Sequence, residues 1–167
     1  MKKPRPPSDP DSPNAAYFRA LRWLTARELS EAQVRDRLEQ RGYTTAAILP
    51  AIQRLKHERT LDDLRAATAV ARTEAKVRRH GPRRVMGKLI AMGIDREMAK
   101  EVVRDLFGAA EEEELLEATL ERRLRGKPER LKDPGERRKI LAYLVRQGFS
   151  ASAAAGLMRK RARRDSQ

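Results

Sequence analysis

Apolar residues recur along this chain at helical spacing, and one signature appears three times. It reads Val34-x3-Leu38-x3-Gly42, then Val85-x3-Leu89-x3-Gly93, then Ile140-x3-Leu144-x3-Gly148. A step of four puts both apolar side chains on one helix face, and glycine supplies the left-handed residue that ends the helix. Tyr43, Ile94 and Phe149 follow the glycines, and Thr44, Asp95 and Ser150, all N-cap types, come next. A second set of apolar or small pairs completes each copy: Ile48 and Ile52, Ala99 and Val103, Ala154 and Met158. The copies lie 51 and 55 residues apart, a period that marks tandem helical units.

Around this signature the pattern predicts three helices per unit. A first helix over 15–27 is expected to bury Phe18, Leu21 and Leu24, with Trp23 at its border. Ser30 and Gln33 make a capping box for the second, and Ile48, Ile52 and Leu55 line the third. Pro50 predicts a late start or a kink there, because it lacks an amide and crowds the preceding turn. Asp62 and Asp63 suit the N-terminus of a helix over 61–79, with Leu64, Ala67, Ala71 and Val77 available for packing. Gly81 ends that helix and Pro82 opens the next, which carries Val85, Leu89 and Met92; Ala99, Val102, Val103 and Leu106 line its successor. Gly87 falls mid-helix, at a cost of about 1 kcal/mol relative to alanine.

The last unit begins in Glu111–Glu114 and carries Leu116, Leu120 and Leu124; 126–133 reads as a linker. Asp133 then caps, Pro134 takes the first turn, and Glu136 is placed as a capping-box acid; a basic helix over 151–163 closes the chain. The expected fold is all-α, an elongated array of three tandem three-helix repeats at 15–59, 60–108 and 109–164. A proline-rich, disordered segment over 1–14 precedes them.

Composition narrows the chemistry. The 167 residues carry a net charge of +14, and the excess is spread along all three units instead of sitting in a tail. Such a field favours a polyanion or an acidic protein surface. Absence of cysteine excludes disulfides, thiolate metal sites and cysteine nucleophiles. Apolar runs are too short to span a bilayer, and prolines and aspartates follow Met1-Lys2-Lys3 where a signal peptide needs an apolar core; a cytoplasmic protein is expected. His57 and His80 are the two histidines, each beside basic residues near a helix end, which points to surface or capping roles. Asp62-Asp63 and the Glu111–Glu114 run read as helix starts, and no phosphate loop, dinucleotide motif or nucleophile elbow occurs. No catalytic residue, cofactor or metal is expected.

Four strings in order carry a family resemblance. Ala20-Leu21-Arg22-Trp23-Leu24 with Arg27-Glu28-Leu29-Ser30-Glu31 and Arg35-x2-Leu38-x2-Arg41-Gly42 resembles the opening repeat of the bacterial RecX regulatory proteins. Leu61-Asp62-Asp63-x3-Ala67 is similar to their "LDD" helix start. Gly81-Pro82-Arg83-Arg84 with Leu89 and Gly93-Ile94 resembles their central stretch, and Tyr143-Leu144-x-Arg146-x-Gly148-Phe149-Ser150 their closing element. Arg59-Thr60 and Ala66 depart from the family, which usually has Gly-Tyr and Phe at these places.

The resemblance implies a non-enzymatic modulator, usually an inhibitor, of the RecA recombinase. Such a protein binds the RecA–DNA filament across protomers and lowers strand exchange and ATP hydrolysis in DNA repair and the SOS response. A monomer with weak non-specific DNA binding is expected. Candidate contacts, assigned to the polar sides of the middle helices, are Arg27, Arg41, Arg83, Arg84, Lys88, Arg138, Lys139 and Arg146. Arg35 shares the repeat position of Met86 and Leu141, and so can lie along the core edge. The terminal cluster Arg159-Lys160-Arg161 with Arg163-Arg164 fits a helix end, a phosphate contact or a tail. The alternative is a basic, helix-turn-helix-like DNA binder acting without RecA.

Overall fold

The computed structural model describes residues 7–164, and these contain nine α-helices, one short 3-10 segment and no strand. The helices are α1 (Pro13–Leu24), α2 (Glu31–Arg41), α3 (Thr45–His57), α4 (Asp63–Lys76) and α5 (Pro82–Ala91). They continue as α6 (Arg96–Leu106), α7 (Ala109–Leu124), α8 (Pro134–Arg146) and α9 (Ala151–Arg164). The fold is all-α, built as tandem three-helix repeats. Expectations for residues 1–6 and 165–167 lie outside the described residues.

The local signals act as their chemistry requires. Gly42, Gly93 and Gly148 take φ of +90°, +77° and +102°, ending α2, α5 and α8 in conformations that a Cβ disfavours. Ser30 and Gln33 form the reciprocal capping box of α2. Asp95 accepts the amides of Glu97 and Met98, and Ser150 that of Ala153. Thr44 makes no side-chain cap; its amide bonds instead to Pro10 O at 3.0 Å.

The chain divides into two compact units, one of residues up to 70 with 89–98, the other of 71–88 with 99 onward. In the first, Tyr17, Val34, Leu38, Ile48, Ile52 and Leu55 are buried at the centre of the core. Tyr17 Oη donates to Glu58 at 2.7 Å, Arg54 Nε donates to the same carboxylate at 2.9 Å, and the Arg54 guanidinium lies 3.8 Å from the Tyr17 ring centroid. That cluster ties α1 to α3. In the second unit, Leu116, Leu120, Leu124, Ile140, Leu144 and Phe149 are the central residues.

Several expectations are corrected. Phe18 is 58% exposed; α1 starts at Pro13, inside the presumed lead-in, and buries Ala16, Tyr17 and Ala20. Helical steps of three and four from Tyr17 reach Ala20, Leu21 and Leu24, leaving Phe18 about 100° off that stripe. Leu64 sits on the first turn of α4 and is exposed, because the stripe that buries is Ala66, Ala67, Ala71 and Ala75. Val77 is exposed as well; it lies past Lys76, where α4 has ended. Pro50 does not delay α3, which runs through it with the proline on the exposed side. Residues 126–133 are more than a linker: Pro128–Leu131 forms a 3-10 turn that buries Leu131 in the core. Glu136 is not a capping-box acid; its carboxylate goes to Arg130 and Lys139.

Candidate partner-binding surface

A helix leaves its first amides and last carbonyls without partners, and this chain satisfies some of each by docking one end on another. In the first unit, Ser30 Oγ at the start of α2 donates to Met92 O at the end of α5. The Gly93 corner lies so close that an added Cβ would overlap that of Ala32. In the second unit, Gly81 N at the start of α5 donates to Gln147 O at 2.8 Å, and Arg83 N to Gly148 O at 3.1 Å. A Cβ on Gly148 would come within 2.5 Å of Arg84 N. Ser30 and Gly81 share one repeat position, Met92 and Gln147 another. The same joint is therefore made twice, each time with a glycine corner against the first turn of a middle helix. Opposite dipole ends meet in it.

The second joint organises the candidate cations. Arg84 Nη1 donates to Arg146 O at 3.1 Å, so Arg83 and Arg84 of α5 and Arg146 of α8 sit around one contact. Lys88 lies one turn along α5 from Arg84, on the same exposed face. Arg138 and Lys139 are exposed two turns before Arg146 on α8. Lys139 is paired with Glu136 at 3.0 Å. Arg83 and Lys88 form no side-chain bond among the described residues, and both project into solvent. Arg83 is also a cation in the first turn of a helix, where the dipole disfavours it by about 0.3–1 kcal/mol. All six of these residues belong to the second compact unit. Arg27 and Arg41 belong to the first. Arg27 sits in the turn after α1 and not on a middle helix, and Arg41 is the last residue of α2.

Residues 16–55 match the family model for the first three-helix domain of RecX, and residues 111–155 match that for the third. The regulatory protein RecX of Syntrophotalea carbinolica is 32% identical over 138 residues, covering 82% of this chain and 90% of that protein. This chain belongs to the RecX family. The regulatory protein RecX of Mycobacterium sp. (strain KMS) is 31% identical over 156 residues, covering 90% of this chain and 84% of its own. The fold agrees with the crystal structure of RecX from Lactobacillus salivarius, at a TM-score of 0.77 and 21% identity over 89% of this chain and 95% of that one.

The RecX "LDD" element has a definite role here. Asp62 caps its own helix, accepting Arg65 N at 2.9 Å, whereas Asp63 caps α2, accepting Glu31 N at 2.7 Å. Burial pushes the Asp63 carboxyl above its usual range. Glu31 itself bonds Lys56 at 2.6 Å and Arg35 at 2.9 Å, and Lys56 above all holds its carboxyl below the ordinary value. Arg35 thus ends in an ion cluster at the half-buried edge.

Other polar groups serve packing. His80 is buried, not at the surface, with Nδ1 2.6 Å from Glu74 Oε2, while Arg78 reaches Oε1 at 3.1 Å; His57 is exposed. Of the terminal cluster, Lys160 pairs with Glu113 and Arg161 with Glu121. No group of three or more His, Asp or Glu is placed to hold a metal ion among the described residues. Among the same residues no helix is long and apolar enough to cross a membrane.

Proposed function

We propose that this chain binds the RecA–DNA filament and, without catalysing a reaction, restrains strand exchange and ATP hydrolysis in DNA repair and the SOS response. Membership of a family of regulatory proteins supports this reading. The observation that carries it is the group of exposed cations on α5 and around the α5–α8 joint. Arg83 and Lys88 have no partner within the described chain, and Arg83 stands where the helix dipole disfavours a cation. Groups kept in that state favour an external acidic surface or phosphate. Tandem repeats, taken as 15–59, 60–108 and 109–164, offer several weak contacts that engage neighbouring protomers together, so a filament binds more tightly than a free protomer. The chain acts as a cytoplasmic monomer, and its affinity for naked DNA is weak and salt-sensitive.

The test is Arg83→Glu with Lys88→Glu, leaving Arg84 in place because its side chain supports the joint. Inhibition of RecA ATPase and retention on preformed filaments are expected to fall, with helix content unchanged. Full inhibition by the folded double variant removes this surface from the mechanism. Equal affinity for random duplex and for filament at matched salt supports a DNA binder acting without RecA.

A further inference from the structure

A second surface lies on the opposite use of α8, where it packs against α9. The two helices enclose a groove of about 480 Å³. Its floor is Leu141, Ala155, Met158 and Ala162. Its rim is Arg137, Arg138, Arg159 and Arg163. All four arginines are exposed, none has a side-chain partner among the described residues, and no carboxylate lines the groove. Their neighbours in the terminal basic cluster differ: Lys160 and Arg161 are held by acids of α7. Arg159 and Arg163 are thus members of that cluster which the fold leaves available, and Arg137 and Arg138 of α8 join them on the rim.

The two halves of this lining select a ligand class. Four unpaired guanidiniums call for carboxylates or phosphates, which they grip in bidentate fashion. An apolar floor calls for aliphatic side chains and gives nothing to a phosphodiester backbone. No aromatic ring lines the groove to stack a base. Small residues on α9 permit close approach: Ala155 and Ala162 form the floor, and an added Cβ on Gly156 would meet only Arg159 Nη2, at 4.0 Å. The valley between two packed helices has the shape that receives a third helix, anchored at i and i+3 or i+4.

We propose that the α8–α9 groove docks an acidic amphipathic helix of a protein partner, aliphatic anchors on the floor and carboxylates against the four arginines. This goes beyond the filament reading, since the ligand is defined by its chemistry and is measured without RecA. The probe is a fluorescein-labelled synthetic helix of about four turns, leucines on one face and glutamates flanking them. Anisotropy is expected to show saturable binding to the full chain. Arg159→Glu with Arg163→Glu, both surface changes, weakens it at least about tenfold. Leu141→Glu does the same through the floor, with far-UV circular dichroism confirming helix content. Replacing the peptide's leucines by alanine abolishes binding although its charge is kept.

Unchanged affinity in the double arginine variant overturns the proposal. So does an alanine-substituted peptide that binds as tightly as the parent, because charge alone would then suffice. Displacement of the peptide by oligothymidylate of equal charge at lower concentration also overturns it, in favour of a nucleic-acid surface.

Discussion

Three glycines separate backbone strain from close approach, and substituting each by alanine measures the joint. Gly42 holds φ of +90°, but an added Cβ would meet only Pro7 Cδ at 3.6 Å, an ordinary contact. Gly42→Ala therefore carries the left-handed penalty alone, roughly 1–2 kcal/mol. Gly81 is the converse: its φ is not positive, yet a Cβ would lie 2.9 Å from Gly148 C and from Phe149 Cδ1. Crowding of backbone and a buried ring, which cannot swing away, costs about 1–3 kcal/mol. Gly148 combines both, with φ of +102° and a Cβ 2.5 Å from Arg84 N and 2.8 Å from Gly81 O. Its expected loss is the sum, about 2–5 kcal/mol. Urea unfolding followed by far-UV circular dichroism gives the stabilities. Amide exchange at Gly81 and Arg83, whose N–H groups enter the joint, shows where the damage lies. Gly148→Ala should expose these amides and Gly42→Ala should not. Equal destabilisation by the two, with both amides still protected, would refute the docking of α8 on α5.

Gly87→Ala should stabilise the chain by about 0.5–1 kcal/mol in the same unfolding assay, since Gly87 lies inside α5 with nothing within 4 Å of its would-be Cβ. Asp62→Ala and Asp63→Ala should each cost about 1 kcal/mol, but in different places: the first deprotects the Arg65 amide and the second that of Glu31, read by hydrogen exchange. Arg130 first, then Lys139, holds the Glu136 carboxyl at about 2, below its ordinary 4.5. A depressed folded value means the pair's contribution is complete above 4.5 and is lost as pH falls toward 2. Glu136→Gln should therefore flatten the acid limb of the stability–pH profile in that window, and an unchanged limb would show that the pairing contributes nothing.

The N-terminus of α8 is built differently from those of α2 and α5. By the spacing of the glycine corners, the residue of α8 that corresponds to Gly81 is Glu136. Helix α8 starts earlier, at Pro134, and the amides of Gly135 and Glu136 are already taken by Asp133. The first-turn position that receives a glycine corner on α2 and α5 is thus covered by the chain's own extra turn.

What the sequence determined by itself is local or periodic. Glycines at the corners, Ser30 with Gln33, Asp95, Ser150 and Pro82 act through geometry confined to one turn, so their residue types announce their roles. The repeat spacing and the four motif strings were legible for the same reason, and so was the family. Only tertiary structure decided which end meets which: Ser30 reaching Met92, Asp63 capping α2 instead of its own helix, and Gly148 seated against Arg84. It also exposed Phe18, buried Leu131 in a 3-10 turn, enclosed His80 with Glu74, and allowed Arg59, Arg79 and Arg125 positive φ where no glycine signalled it. Of the candidate cations, it drew Arg83, Arg84 and Arg146 to one joint and set Arg138 on the rim of a groove. These outcomes depend on partners tens of residues distant, whose contacts exist only after the helices pack, and no local pattern encodes them.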